Sequence, residues 1–285
     1  MLVAAAVCPH PPLLIPAATG AAGTTGNGLA GSRRAGSRPA GAGHDGAGHD
    51  GAAELRELRT ACRAAVSALL AAGPDLLAMV GGAPENAVYA GPAAGSLRDF
   101  GIPLTVGSGC PVLPLSLTVG SWLLEQAGSD RPGDRRPPGR DRRRGAARYR
   151  LQLRAVAADL PPADCLRLGA EIAAQAPRVA LLAMGDASAR KAIGVHGAAD
   201  PVAERYDAEV AAALAAADPA RLASLDPALD DELIIAGRAA WQVLAGAADG
   251  AALRGQLRCA VAPYGVSYLV ASWEAGQPQP AALAE

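Results

Sequence analysis

An unbroken apolar run over residues 2–7 predicts a short buried strand, and Pro9, Pro11 and Pro12 forbid its continuation by fixing φ and removing donors. Residues 54–72 carry Leu55, Leu58, Cys62, Val66, Leu69 and Leu70 at helical spacing and stop at Gly73-Pro74. A buried strand follows over 76–80 and runs into Gly81-Gly82. The same patterns predict strands at 103–106, 151–156 and 179–184, and helices at 117–126 and 162–175. Two longer helices are expected at 201–216 and 230–247. A hairpin of 257–262 and 266–273 then turns through Pro263-Tyr264-Gly265. Alternation of strand and helix predicts an α/β fold: one sandwich-like domain over 1–285, with a central, largely buried sheet flanked by helices.

Two segments interrupt that rhythm. Residues 17–53 are Gly/Ala-rich and repeat Gly-Ala-Gly-His-Asp around His44 and His49. Such glycine-rich chain cannot preorganise metal ligands, so a disordered insertion is expected. Residues 129–148 mix arginine, aspartate and proline, which reads as a flexible, solvated loop more than an anion or RNA patch.

Composition narrows the class. Hydrophobic residues make up 51% of the chain but aromatics 3%, so the core must pack small side chains closely. A net charge of −1 argues against nucleic acid as a partner. Five singly scattered cysteines without a CxxC pair fit reduced thiols inside a cell. No segment offers the roughly 18 apolar residues of a membrane span, and the N-terminal run lacks the pattern of a leader. A cytoplasmic protein without a membrane partner is the expectation. Lys191 is the sole lysine, a coding bias that discounts arginine counts as evidence of function.

His10 stands out, because it sits where a core strand opens into a rigid turn, the edge at which α/β sheets bind ligands. Asp186 and Ser188 follow the apolar run at 179–184 and should reach the same edge if the two strands are parallel. Asp186 could orient a metal ligand or a base there, or form an Asx turn or helix cap. Ser188 has neither a neighbouring histidine nor a nucleophile elbow around it. Cys8, two residues from His10, could share a soft site or serve as core. His196 falls in a loop where solvent is its default neighbour. The glycines at 81–82 and 107–109 lack the spacing of a phosphate-binding loop.

Pro9-His10-Pro11-Pro12 after the first strand, Gly185-Asp186-Ala187-Ser188-Ala189-Arg190, and Ile234-Ile235-Ala236-Gly237-Arg238 occur in that order, with Tyr206-Asp207 and Tyr264-Gly265-Val266-Ser267-Tyr268 also in place. Together they resemble the class III extradiol ring-cleavage dioxygenase superfamily of B-type subunits, which includes the Memo-like proteins. In active members, the resemblance implies, Fe(II) is held by two histidines and a carboxylate, with a further histidine as acid/base. Transferred to this chain, His10 is the first ligand. The second falls near residues 82–85, where Glu85 is the nearest donor, and the acid/base and thiol positions are Ala189 and Ala236. The metal candidates are therefore His10 and Glu85, the catalytic candidates Asp186 and Ser188, and the cofactor is either Fe(II) or none.

Three readings follow from this. The first is a dioxygenase-like protein with a degenerate metal site and a binding or structural role, taking a small aromatic molecule. The second is an active non-haem metal-dependent oxidoreductase cleaving a catechol-type substrate through a rearranged site. In the third a partner chain supplies the missing groups, and the resemblance points to a homodimer.

Overall fold

A computed structural model describes residues 1–16, 46–90, 92–129, 149–191 and 200–276. Most of the two expected insertions, at 17–45 and 130–148, lies outside the described residues, as do His44 and His196. Strand β1 (Leu2–Cys8) is followed by helix α1 (Gly46–Ala71), β2 (Leu76–Ala83), β3 (Ala87–Tyr89), β4 (Ala94–Ser96) and β5 (Thr105–Gly107). Next come α2 (Leu115–Ser129), β6 (Arg150–Ala157), α3 (Pro162–Ala173) and β7 (Val179–Met184). The C-terminal half holds α4 (Pro201–Ala216), α5 (Pro219–Ala223), α6 (Leu229–Leu233), α7 (Arg238–Ala248), β8 (Leu253–Val261) and β9 (Tyr268–Ala275).

The fold is α/β. Seven strands form one sheet in the order β3-β6-β2-β7-β1-β9-β8. The middle four, β6, β2, β7 and β1, run parallel, while β3, β9 and β8 join antiparallel. Strands buried on both faces read as continuous apolar runs rather than alternating ones, as β1 and β7 do here. Their side chains divide by parity. Leu76, Ala78, Val80, Val179, Leu181 and Ala183 enter the core beneath α3, α4 and α7, with Ile172, Val210 and Trp241. Leu77, Met79, Ala180, Leu182 and Met184 face α1 and α2, meeting Leu58, Val66 and Leu117. Among the described residues, no helix is long and apolar enough to cross a membrane.

Helix α1 begins at Gly46, inside the segment expected as an insertion. One expectation needs correction. The expected helix at 230–247 is broken. α6 stops at Leu233, Ile234 turns left-handed at φ 54°, and α7 starts afresh at Arg238. That backbone is costly for a β-branched residue and persists because its neighbours are pinned. Ile235 N–H donates to Asp230 O at 2.8 Å and Ala236 N–H to Asp186 O at 3.2 Å.

Candidate functional site at the carboxyl edge of the sheet

Because β1 and β7 are parallel and adjacent, their loops leave the sheet side by side. Gly185 N–H donates to Cys8 O at 3.0 Å, closing the two strands. One residue further, Asp186 Oδ1 accepts the His10 backbone N–H at 2.7 Å. His10 Nδ1 lies 3.4 Å from the same oxygen, outside good hydrogen-bond geometry. The imidazole is buried, and Pro12–Leu14 forms a 3₁₀ turn behind it. The structure thus brings two of the sequence candidates, His10 and Asp186, together.

His10 lines a pocket of about 310 Å³. Gly82, Ala83 and Pro84 wall it from the end of β2, and Asp230, Ile235, Ala236, Arg238 and Ala239 from the α6–α7 junction. Helix α7 starts this close to the sheet because Gly185 and Gly237 meet backbone to backbone. A Cβ on Gly185 would fall 2.4 Å from Gly237 Cα. Cys8 is buried in the core beneath α1 and does not line the pocket.

Ser188 does different work. It is fully buried, its Oγ donates to Asp207 Oδ2 at 2.8 Å and its N–H to Asp207 Oδ1 at 3.0 Å. Ser267 Oγ donates to Asp207 Oδ2 at 2.5 Å, and Lys191 Nζ stands 3.8 Å from that oxygen. This buried carboxylate therefore ties the loop after β7 to α4 and to the approach to β9. Ser188→Ala should lower stability by about 1–3 kcal/mol, because Asp207 would keep its desolvation cost and lose a donor. Urea denaturation of the two proteins measures the difference. Glu85 is exposed on the turn between β2 and β3 and does not line the pocket.

A pair that the sequence reading missed lies on the inner wall. Arg238 is 1% exposed, and its Nε donates to Asp230 Oδ2 at 2.5 Å. Its Nη1 donates to Leu160 O at 3.1 Å and Gln242 Oε1 at 2.7 Å, and its Nη2 to Ala158 O. Burial pushes the Asp230 carboxyl above its ordinary range, against the opposing pull of the Arg238 guanidinium.

These residues do not fit an iron triad. Fe(II) held by two histidines and a carboxylate needs three side chains converging on one point. At this pocket His10 brings the imidazole, Asp186 Oδ1 is already engaged by the His10 N–H, and Glu85 stays outside. Among the described residues, no three His, Cys, Asp or Glu side chains gather into a metal-holding group.

No protein-family model and no curated protein matches the chain. Among solved structures it is similar to an uncharacterized protein from Escherichia coli K12, at 15% identity over 95% of this chain and 99% of that one, with a TM-score of 0.44.

Proposed function

We propose that this chain is a class III extradiol dioxygenase-like protein whose His10 pocket binds a small molecule instead of cleaving a ring with iron. The reading is carried by the composition of the pocket wall. At the positions where the resemblance calls for further ligands or a thiol, the wall presents Gly82, Ala83 and Ala236, which offer no side-chain donor atom; Glu85, the nearest donor, stays outside the pocket, and Ala189 stands at the acid/base position. What remains is an apolar recess with an imidazole and an ion pair at its end, the usual make-up of a small-molecule site.

Anaerobic loading with Fe(II), elemental analysis and a catechol ring-cleavage assay test this reading. The expected result is iron well below one per chain, no cleavage, and no change in either on His10→Ala. Near-stoichiometric iron and turnover, both lost in His10→Ala, would instead establish the second reading, an oxidoreductase with a site rearranged around His10, Glu85 and Asp186. The 3.4 Å approach of His10 to Asp186 is the observation that favours that alternative.

A further inference from the structure

On the α3 face of the sheet, a recess of about 300 Å³ opens between α3 and the edge formed by β6 and β3. It shares no lining residue with the His10 pocket. Arg154 lines it from β6, on the strand face where Val156, two residues on, enters the core with Cys165 and Ile172 of α3. β3 supplies Val88 directly opposite Arg154, and α3 supplies Asp164, Arg167 and Leu168.

The two arginines of this wall differ in what they hold. Arg167 is engaged, its Nη1 donating to Glu171 Oε1 at 2.8 Å and its Nη2 to Asp164 Oδ1 at 3.0 Å. Arg154 is half-buried, and no carboxylate, carbonyl or hydroxyl among the described residues accepts from its guanidinium. Its Nε is sealed inside the protein, which leaves Nη1 and Nη2 as the open nitrogens. A charge drawn partly out of water without counter-ion or acceptor is unfavourable, and an anion in the recess would supply both.

The lining then selects the class of anion. Two guanidiniums and the Asp164 carboxylate leave one net positive charge, which a monoanion neutralises and a dianion overshoots. A carboxylate suits the open end of Arg154, where Nη1 and Nη2 present paired N–H groups to its two oxygens. Asn86 lines the same recess, and its Oδ1 accepts the Ala157 N–H at 2.8 Å, which fixes the amide and leaves its NH₂ as a further donor. Val88, Leu160 and Leu168 give the remaining wall an apolar character.

We infer that this recess is a carboxylate site, taking a small monocarboxylate with an apolar body whose oxygens accept from Nη1 and Nη2 of Arg154. It stands apart from the His10 pocket and does not depend on the function proposed there.

Benzoate and benzamide test it. They share ring and carbonyl and differ in charge. Binding to the full chain is measured by NMR titration at constant ionic strength. Benzoate is expected to bind about tenfold more tightly than benzamide, because a charge-assisted hydrogen bond is roughly twice as strong as a neutral one. Arg154→Gln keeps a polar side chain without the charge and should abolish that preference. Val88→Glu builds a counter-ion opposite Arg154, at a position 57% exposed where the fold tolerates it. It should weaken benzoate several-fold, whereas Val88→Gln, of nearly the same shape, should leave it close to wild type. Equal affinities for the two compounds in the wild type, or failure of benzoate to bind, would overturn the carboxylate site. A preference for benzoate that survives Arg154→Gln or Val88→Glu would place the anion elsewhere and overturn it too. Equal weakening by Val88→Glu and Val88→Gln would do the same, since shape and not charge would then be the cause. The Val88 pair decides even if Arg154→Gln fails to fold.

Discussion

Gly246→Val should leave little or no folded protein. Helices α3 and α7 cross with Gly169 and Gly246 at the point of contact. A Cβ on Gly246 would lie 2.0 Å from Leu166 O, and one on Gly169 would lie 2.0 Å from Val243 O. These neighbours are backbone, so no side-chain rotation can make room. Separating the helices would open the core formed by Cys165, Ile172, Val243, Leu244 and Ala247. Overpacking alone costs about 1–3 kcal/mol, and a clash with the Leu166 main chain at a buried crossing should exceed that. Gly128→Ala is the control, because a Cβ there meets nothing within 4 Å. It should be neutral or slightly stabilising, as alanine is the better helix former. Expression yield and thermal melting of the two variants give the comparison.

Arg238→Ala should be nearly as damaging, by about 3–5 kcal/mol, because it leaves a buried carboxylate without its counter-charge. The guanidinium links Asp230 to Leu160 O, Ala158 O and Gln242, and Gln242 in turn donates to Ala223 O at 3.1 Å and Leu225 O at 3.0 Å. One deletion therefore releases contacts to α6 and to the loop before α3, and leaves Gln242 Oε1 without its donor. The loss should depend on pH. Burial already raises the Asp230 carboxyl above its ordinary value, and removing the cation raises it further. The folded variant then binds a proton more tightly than the unfolded chain does. The contribution of Asp230 to its stability is greatest at low pH and falls as pH rises through the folded-state value of Asp230. Melting temperatures taken from acid to neutral pH should show the gap to wild type widening upward. A gap that is constant over that range would exclude Asp230 as the source.

The sequence made some of this architecture readable and hid the rest for physical reasons. β7 is recovered at both ends because its apolar run stops at Arg178 and Gly185. α4 is recovered because Pro201 fits the first turn and Asp200 caps it, accepting from Val202 N–H at 2.8 Å. His10 and Asp186 could be placed together because both end neighbouring parallel strands. Asp230 and Arg238 could not. In one continuous helix, residues eight apart are separated by about 12 Å along the axis, so they read as unrelated. The left-handed turn at Ile234 brings them into contact, and hydrogen bonds to Asp186 O and Asp230 O help to hold that turn. Asp207 stood among the motif residues, but its contacts were hidden for the same kind of reason, since its partners Ser188 and Ser267 come from loops that meet α4 only after folding. Local pattern reports elements well, whereas contacts made across a break in the pattern are set by tertiary structure.

β1 has a particular fate during synthesis. Both of its neighbours, β7 and β9, lie far downstream, so a seven-residue stretch of leucine, valine, alanine and cysteine leaves the ribosome long before either partner exists. Until then its amides and carbonyls have no ladder to join, and its side chains have no core to enter. The proline cluster that shapes the His10 loop also blocks the strand from lengthening into a sticky template, a protection that acts before the protein has any pocket at all.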